Sequence, residues 1–183
     1  MTEQQPYRVV ARHPGFELRR YPAHLVAEVR AEGAFEQAAR DAFRALAAYV
    51  GGANRIRRDT GLPAREAGSG TIAVTPPFVQ EEGDRPGRWL TWLVMPAGFT
   101  SATLPEPTDP RIHTREIPEQ LAAAARFAGR WTARAFDQRS TALGRAVTAA
   151  GLRPTGAVRY ARFDPPWKPW FLRHNEVVLP VAE

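Results

Sequence analysis

Residues 163–171, called the Pro/Trp loop below, combine four aromatic side chains with three prolines. Prolines stiffen a loop and reduce the entropy that it loses on binding a ligand. Trp167 and Trp170 offer broad flat surfaces for stacking on a π-system, and Lys168 suits a carboxylate. On the residues alone, a rigid loop that caps one end of a barrel, with its tryptophans as packing, is an equal interpretation.

A second candidate surface lies on the strongest predicted helix, over residues 34–50, which two glycines follow. Its core-facing stripe repeats at helical spacing and consists of Phe35, Ala38, Ala39, Ala42, Leu46 and Tyr49. An adjacent surface, called the Arg40/Phe43 flank below, consists of Arg40, Phe43, Arg44 and Ala47. An aromatic ring with two guanidinium groups suits a flat ligand that carries carboxylates. The residues alone favour the alternative, a solvated helix face with a partly buried Phe43 at its edge.

Glu176 stands beside Asn175 in a segment predicted to be a strand. If its side chain points inward, the carboxylate is costly to bury without a partner. We expect an arginine on the neighbouring predicted strand, such as Arg162, to pair with it.

Composition excludes several kinds of chemistry. The chain has no cysteine, so disulfides, thiolate metal sites and cysteine nucleophiles are excluded. It contains no His-x-x-x-His, Gly-x-Ser-x-Gly, Walker or dinucleotide-binding glycine motif. We therefore predict no catalytic residue and no metal site, and regard an enzyme as the less favoured class.

The formal net charge of +6 makes nucleic acid a candidate partner. The arginines are spread along the whole chain, however, which disfavours that interpretation and leaves attraction of an anionic small molecule. No apolar segment approaches the length needed to cross a bilayer, and the N-terminus lacks the features of a signal peptide. We expect a cytoplasmic protein without a membrane span, and the sequence does not indicate an oligomeric state.

The hydrophobic pattern predicts a single domain over residues 1–183 of the α+β class. Strands are predicted over residues 7–12, 16–21, 24–31, 71–79, 89–95, 111–117, 123–134, 157–163 and 175–181, and helices over 34–50 and 137–150. Residues 54–70 are predicted to form a loop. Two half-repeats over about residues 7–98 and 111–181 each run strand-strand-helix-strand-strand, and the first has one extra strand at its N-terminus. This pattern predicts an antiparallel, barrel-like sheet of about eight or nine strands flanked by two helices.

Several segments, in the order in which they occur, resemble the SOUL/heme-binding-protein family. The matching segments are residues 7–10, 16–21, 48–54, 72–77, 94–96, Tyr160, Asp-Pro-Pro-Trp-Lys-Pro over 164–169 and Arg-His-Asn-Glu-Val over 173–177. Each motif is weak alone, but together they span nearly the whole chain, and the last two are the most specific.

The resemblance implies a distorted barrel with two helices that binds heme or another porphyrin as its ligand, without catalysis. The implied site is a shallow cleft between the first helix and the Pro/Trp loop. Family positions that contact heme fall on Arg40 and Phe43, and the full expected set is Arg40, Phe43, Arg44, Ala47, Phe163, Trp167, Lys168 and Trp170.

Iron ligation is the weakest part of this expectation. Some family members have a histidine where this chain has Arg20, which cannot ligate iron. Of the four histidines, His174 lies nearest the Pro/Trp loop and is the best candidate for an axial ligand, although a hydrogen-bonding role is favoured. The fold is also shared with bacterial effector-binding domains, in which an interior glutamate contacts cationic ligands. Glu176 is the candidate for that alternative.

Overall fold

The computed structural model describes residues 4–56 and 70–183. The elements are β1 (Arg8–His13), β2 (Phe16–Tyr21), β3 (His24–Glu32), α1 (Phe35–Val50), β4 (Asn54–Arg55), β5 (Thr75–Glu82), β6 (Arg88–Val94), β7 (Glu106–Pro107), β8 (Ile112–Ile117), β9 (Gln120–Phe127), α2 (Ala133–Ala149), β10 (Arg159–Arg162), a 3-10 helix (Trp170–Leu172) and β11 (Asn175–Pro180). None of the described helices is long and apolar enough to span a membrane.

Nine strands form one curled, antiparallel half-barrel in the order β1-β2-β9-β11-β10-β5-β6-β3-β8, and β4 and β7 form a separate ribbon. Strands β2, β3, β5 and β6 of the first half correspond to β8, β9, β10 and β11 of the second half. Replacing every strand by its counterpart reverses the order of these eight strands in the sheet. The two halves are therefore related by a pseudo-twofold axis at the central β5–β10 pair. The predicted α+β class, strand number and half-repeat are confirmed.

Both helices cover the same side of the sheet, called the helix face below. One core lies under α1, where Leu46 and Tyr49 pack against residues of β3 and β6 such as Ala27. The other lies under α2, where Phe136 and Leu143 pack on residues of β2, β9 and β11. Because side chains alternate along a strand, every second residue points to the opposite side of the sheet. That side is called the Glu176 face below.

The N-termini of the two helices meet above the centre of the sheet. The carboxylate of Glu36, in the first turn of α1, accepts a hydrogen bond from the backbone N–H of Ala133 at 3.0 Å. Thr132 is the N-cap of α2, and its hydroxyl accepts a hydrogen bond from the Ala135 N–H at 3.2 Å. The start of α2 is thus fixed partly by the first half of the chain.

Two predicted boundaries were wrong. The predicted strand over residues 123–134 is β9, which ends at Phe127, and α2 begins at Ala133 rather than at residue 137. The Thr132 cap explains this, because it satisfies an N–H of the first helical turn and permits an early start. In the predicted 54–70 loop, residues 54–55 form β4, and residues 57–69 lie outside the described part.

Candidate functional site

Phe43 forms the apolar centre of the Arg40/Phe43 flank. Its side chain is 45% exposed, and its ring packs edge-on against Phe78 of β5 with the ring centres 5.5 Å apart. Ala47, one turn further along α1, is half-buried. The flank therefore presents an apolar surface at the edge of α1, next to the sheet.

Two arginines border this surface and are free to change partners. Arg40 donates a 2.7 Å hydrogen bond to the side-chain oxygen of Gln37. Arg44 lies 3.7 Å from the carboxylate of Asp41, and both side chains are largely solvent-accessible. Exposed contacts of this kind contribute about 0–1 kcal/mol, so an incoming carboxylate can compete with them.

A series of contacts between rings and guanidinium groups runs from this flank into the core beneath the two helices. The guanidinium of Arg162 lies 5.6 Å from the centre of the Phe78 ring and 5.9 Å from that of Trp131. The series ends at Arg173, whose guanidinium lies 4.3 Å from the centre of the Trp131 ring. The series connects Phe43 on α1 with Arg173, which follows the Pro/Trp loop.

Arg162 is an unusual member of this series because it is buried without a carboxylate partner among the described residues. One nitrogen, Nη2, donates to the Gln80 side chain at 2.8 Å, while Nη1 has no hydrogen-bond partner. Phe35 and Phe136 also face the guanidinium, at 5.1 and 5.3 Å. Burial lowers the pKa of Arg162 to about 9, so the group is still a cation at neutral pH.

The Pro/Trp loop presents its aromatic side chains to solvent. Trp167 is 83% exposed, and Trp170 and Phe171 are also exposed. Lys168 forms an ion pair with Asp164 at 2.8 Å. The loop therefore offers both stacking surfaces and a cation, as its composition suggested.

Phe163 and His174 lie on the other side of the sheet from the Arg40/Phe43 flank. Phe163 packs against the apolar cluster that includes Trp92, and its ring stacks on His174 with the ring centres 4.1 Å apart. Nε2 of His174 lies 2.8 Å from a carboxylate oxygen of Glu176. The residues expected from the sequence therefore do not all share one face, since Phe163 lies with His174 near Glu176, away from the Arg40/Phe43 flank.

Glu176 is buried and paired, but its partner differs from the expected one. Arg19 of β2 donates to its two carboxylate oxygens at 2.7 and 3.2 Å. The expected pairing with Arg162 was wrong, because Glu176 is opposite Ala161 in the β10–β11 register. Arg162 is one residue further along β10 and points to the helix face.

The charges in this cluster stabilise one another. Burial alone would raise the pKa of Glu176, but hydrogen bonds from His174 and Arg19 outweigh it and hold that pKa below its ordinary value. Burial alone would lower the pKa of Arg19, but its bonds to Glu176 and Tyr21 hold it above the ordinary value. Tyr21 itself is buried, which raises its pKa to about 12.

Two cavities meet at Glu176. The smaller one has a volume of about 30 Å³, room for about one water, and its lining includes Tyr7, Tyr21 and Trp92. The more open one has a volume of about 390 Å³ and is lined by Arg19 and His174 among others. The Glu176 face thus combines a carboxylate with aromatic walls, a combination that suits a cationic ligand.

The sequence analysis missed several residues of both surfaces. Arg19 was detectable, since the alternation along β2 places it on one side with Glu17 and Tyr21, opposite Phe16 and Leu18. Trp131 and Arg173 carried no such signal, because they lie outside the strands and their packing depends on the tertiary fold. Within the described residues, no group of histidine and carboxylate side chains is arranged to hold a metal ion.

Several solved structures share the fold. The C-terminal domain of EcmrR superimposes with a TM-score of 0.66 at 14% identity, over 97% of this chain and 98% of that one. A hydrolase from Listeria innocua superimposes with a TM-score of 0.58 at 16% identity, over 99% and 94% of the two chains. The structure of SAV2435 bound to tetraphenylphosphonium gives a TM-score of 0.50 at 8% identity, over 91% and 93%. At these identities the likeness concerns the fold alone.

Sequence comparison is more specific. None of the curated proteins compared with the chain matches it. The model of the family described as SOUL heme-binding protein matches residues 2–180, almost the whole chain. This match agrees with the ordered motifs and with the fold. The chain therefore belongs to the SOUL heme-binding protein family.

Proposed function

We propose that this protein binds a tetrapyrrole, without catalysing its conversion, in the cleft between α1 and the Pro/Trp loop. Family membership supports the ligand class. The observation that carries the proposed location is the exposure of Phe43 on α1 and of Trp167 and Trp170 in the loop. A flat ring system gains apolar contact by stacking on exposed rings of this kind.

Cations around the cleft suit the carboxylates of a porphyrin. Arg40 and Arg44 stand beside Phe43, and Lys168 stands in the loop. Heme would bring redox-active iron to such a site, but the proposal assigns no residue to ligate it. His174, the candidate for an axial ligand, contacts Glu176 and Phe163 on the opposite face. We therefore expect similar affinities for hemin and for metal-free protoporphyrin.

Titration of the protein with both porphyrins tests this function. We expect a saturable, one-to-one change of the Soret absorbance at micromolar protein. Arg40→Glu replaces an attraction to carboxylates with a repulsion, and Trp167→Ala removes a stacking surface. Each should weaken binding by roughly tenfold, or about 1.4 kcal/mol.

Arg145→Glu is the matched control, since Arg145 is an exposed arginine on α2, away from the proposed cleft. It changes the net charge equally and should leave the affinity within about twofold of the unaltered protein. Absence of saturable binding would contradict the function. An equal loss in Arg145→Glu would contradict the location.

The second candidate is capture of an amphipathic cation at the Glu176 face. It is favoured by the carboxylate and aromatic walls that border the two cavities there, and a protein of this fold has been solved with tetraphenylphosphonium. A ligand cation would have to displace Arg19 from Glu176, which disfavours tight binding. Calorimetric titration with tetraphenylphosphonium distinguishes the candidates: Glu176→Gln should abolish this binding, and Arg40→Glu should not change it.

A further inference from the structure

Four large apolar side chains protrude together around the 3-10 helix that follows the prolines of the Pro/Trp loop. Their exposed fractions are 83% for Trp167, 46% for Trp170, 59% for Phe171 and 58% for Leu172. We call these four side chains the apolar tip. Single exposed apolar residues are ordinary, but a contiguous group marks a contact surface.

The backbone holds the apolar tip outward. The 3-10 helix Trp170–Leu172 contains no buried residue. Arg173, directly after it, donates hydrogen bonds to the carbonyl oxygens of Pro166 and Lys168. These bonds close the segment into a compact loop, so the tip cannot fold back onto the core unless they break. The backbone contacts of Arg173 therefore keep the apolar tip exposed.

Cations surround the apolar tip. The guanidinium of Arg130 lies 5.0 Å from the centre of the Trp170 ring. Lys168 and Arg173 belong to the same segment, whose single carboxylate, Asp164, is already paired with Lys168. The whole chain carries a net charge of +6. A partner for this surface must therefore present apolar groups to the tip and negative charges to the cations around it.

We propose that the apolar tip inserts into the headgroup region of an anionic lipid membrane. Tryptophan favours the membrane–water interface, and basic side chains beside it are attracted by anionic lipids. Binding at a bilayer surface increases with the apolar area that is buried and with the attraction to anionic lipids, and the tip offers both. Four side chains on one short loop are few beside the roughly 20–30 residues that each partner contributes to a standard protein interface. A lipid surface therefore fits the tip better than a folded partner does.

Co-sedimentation of the full chain with vesicles tests this inference. Vesicles of phosphatidylcholine mixed with phosphatidylglycerol should bind the protein, and vesicles of phosphatidylcholine alone should bind it at least several-fold more weakly. Raising the salt from about 0.1 M to about 1 M shortens the Debye length from about 10 to 3 Å and should reduce binding several-fold. The tryptophan emission should shift to shorter wavelength on binding.

The double variant Trp167→Ser/Phe171→Ser removes apolar surface from exposed positions and should lower the partition coefficient at least about tenfold. Its thermal unfolding should match that of the unaltered protein, because neither side chain is buried. The control is Val10→Ser, an exposed apolar residue on β1 outside the apolar tip and outside both candidate ligand sites, which should bind vesicles normally.

Three outcomes would overturn the proposal: no binding to anionic vesicles, undiminished binding by the double variant, or equal binding to vesicles without anionic lipid. A concentration-dependent dimer that the double variant abolishes, in a protein that ignores vesicles, would assign the tip to a second copy of the chain instead. The vesicles contain no tetrapyrrole, so failure here is distinguishable from failure of the proposed function.

Discussion

Glu176 shows how one residue of the half-barrel interior depends on distant parts of the chain. Its carboxylate is neutralised by Arg19, 157 positions away in sequence, and is also bonded by His174. Arg19 and Glu176 stand on β2 and β11, with β9 between them. Ala124 of β9 is on the same face, and its small side chain leaves room for the arginine to reach across.

Glu176→Gln is expected to destabilise the protein at neutral pH by about 1–3 kcal/mol, because Arg19 would lose its buried carboxylate partner and keep only the partly exposed Glu17, at 2.9 Å. A glutamate whose pKa is lowered on folding stabilises the native state fully above its ordinary value of about 4.5. That contribution is lost as the pH falls through the lower pKa of the folded protein. Urea unfolding across this range should therefore show a smaller loss of stability in acid for the variant.

The control for this prediction is Glu116→Gln, which alters an exposed carboxylate on β8. It should leave both the stability at neutral pH and the acid dependence almost unchanged. If the acid profile of Glu176→Gln coincided with that of the unaltered protein, Glu176 would not be the group that titrates.

Arg162 is expected to reduce stability, since its charge is buried and one of its nitrogens lacks a partner. Because its pKa is lowered on folding, this destabilisation is fully present below about pH 9 and diminishes as the pH rises above it. Arg162→Met should raise the free energy of unfolding by about 1–2 kcal/mol at neutral pH, even though Gln80 loses a hydrogen bond. Thermal unfolding measures the change.

Arg159→Met, on the same strand, is the comparison. Arg159 is paired with Glu81 at 3.0 Å and bonds Gln120 at 2.9 Å, so its loss should be neutral or destabilising. Destabilisation of similar size in both variants would show that the Arg162 guanidinium is satisfied in solution.

At the scale of elements, the start of α2 is capped by the Thr132 hydroxyl in addition to the Glu36 carboxylate. Thr132→Ala leaves the Ala135 N–H without its bond and should cost about 1 kcal/mol of stability. Thr148→Ala is the matched control, because that exposed hydroxyl donates to the Gly144 carbonyl within α2. It should change the stability by less than about 0.5 kcal/mol. Equal effects in chemical denaturation would contradict the role given to Thr132.

The Pro/Trp loop shows how far composition predicts an element. Its prolines and aromatics predicted a rigid segment but left two equal interpretations, rings that stack on a ligand or rings that pack at the end of the barrel. The structure has Trp167 and Phe171 exposed. Alternation along β10 and the loop start places Phe163 with Ala161 on the Glu176 face. Composition alone treated the loop as one surface, whereas the fold divides it between two.

At the scale of the whole molecule, the two half-repeats are interleaved rather than side by side. In the sheet, β9 of the second half lies between β2 of the first half and β11, and β8 pairs with β3. Each half therefore leaves strands unpaired without the other, and an unpaired strand exposes both backbone groups and apolar surface.

A fragment of residues 111–181 is accordingly expected not to fold alone. It should lack a dispersed amide spectrum and a cooperative thermal transition, although it contains all the elements of one half. Mixing it with a fragment of residues 1–110 should restore both, because the missing partners β2, β3 and β5 are then present. A cooperative transition in the isolated fragment would contradict this interleaving.

The sequence by itself determined the local elements and the family. Side-chain periods of 2 and 3.6 are local properties, so most strands and the stripe of α1 could be predicted, as could the half-repeat. The ordered motifs, above all those over residues 164–177, pointed to the family that the comparison then showed.

Only the tertiary structure decided which residues meet. Alternation tells on which side of its strand a residue lies, but not which strands are neighbours, because strand order is set by long-range packing. The pairing of Arg19 with Glu176, the isolation of Arg162 among aromatic rings and the separation of His174 from the Arg40/Phe43 flank all follow from that order. These contacts define the two surfaces on which ligand binding can now be tested.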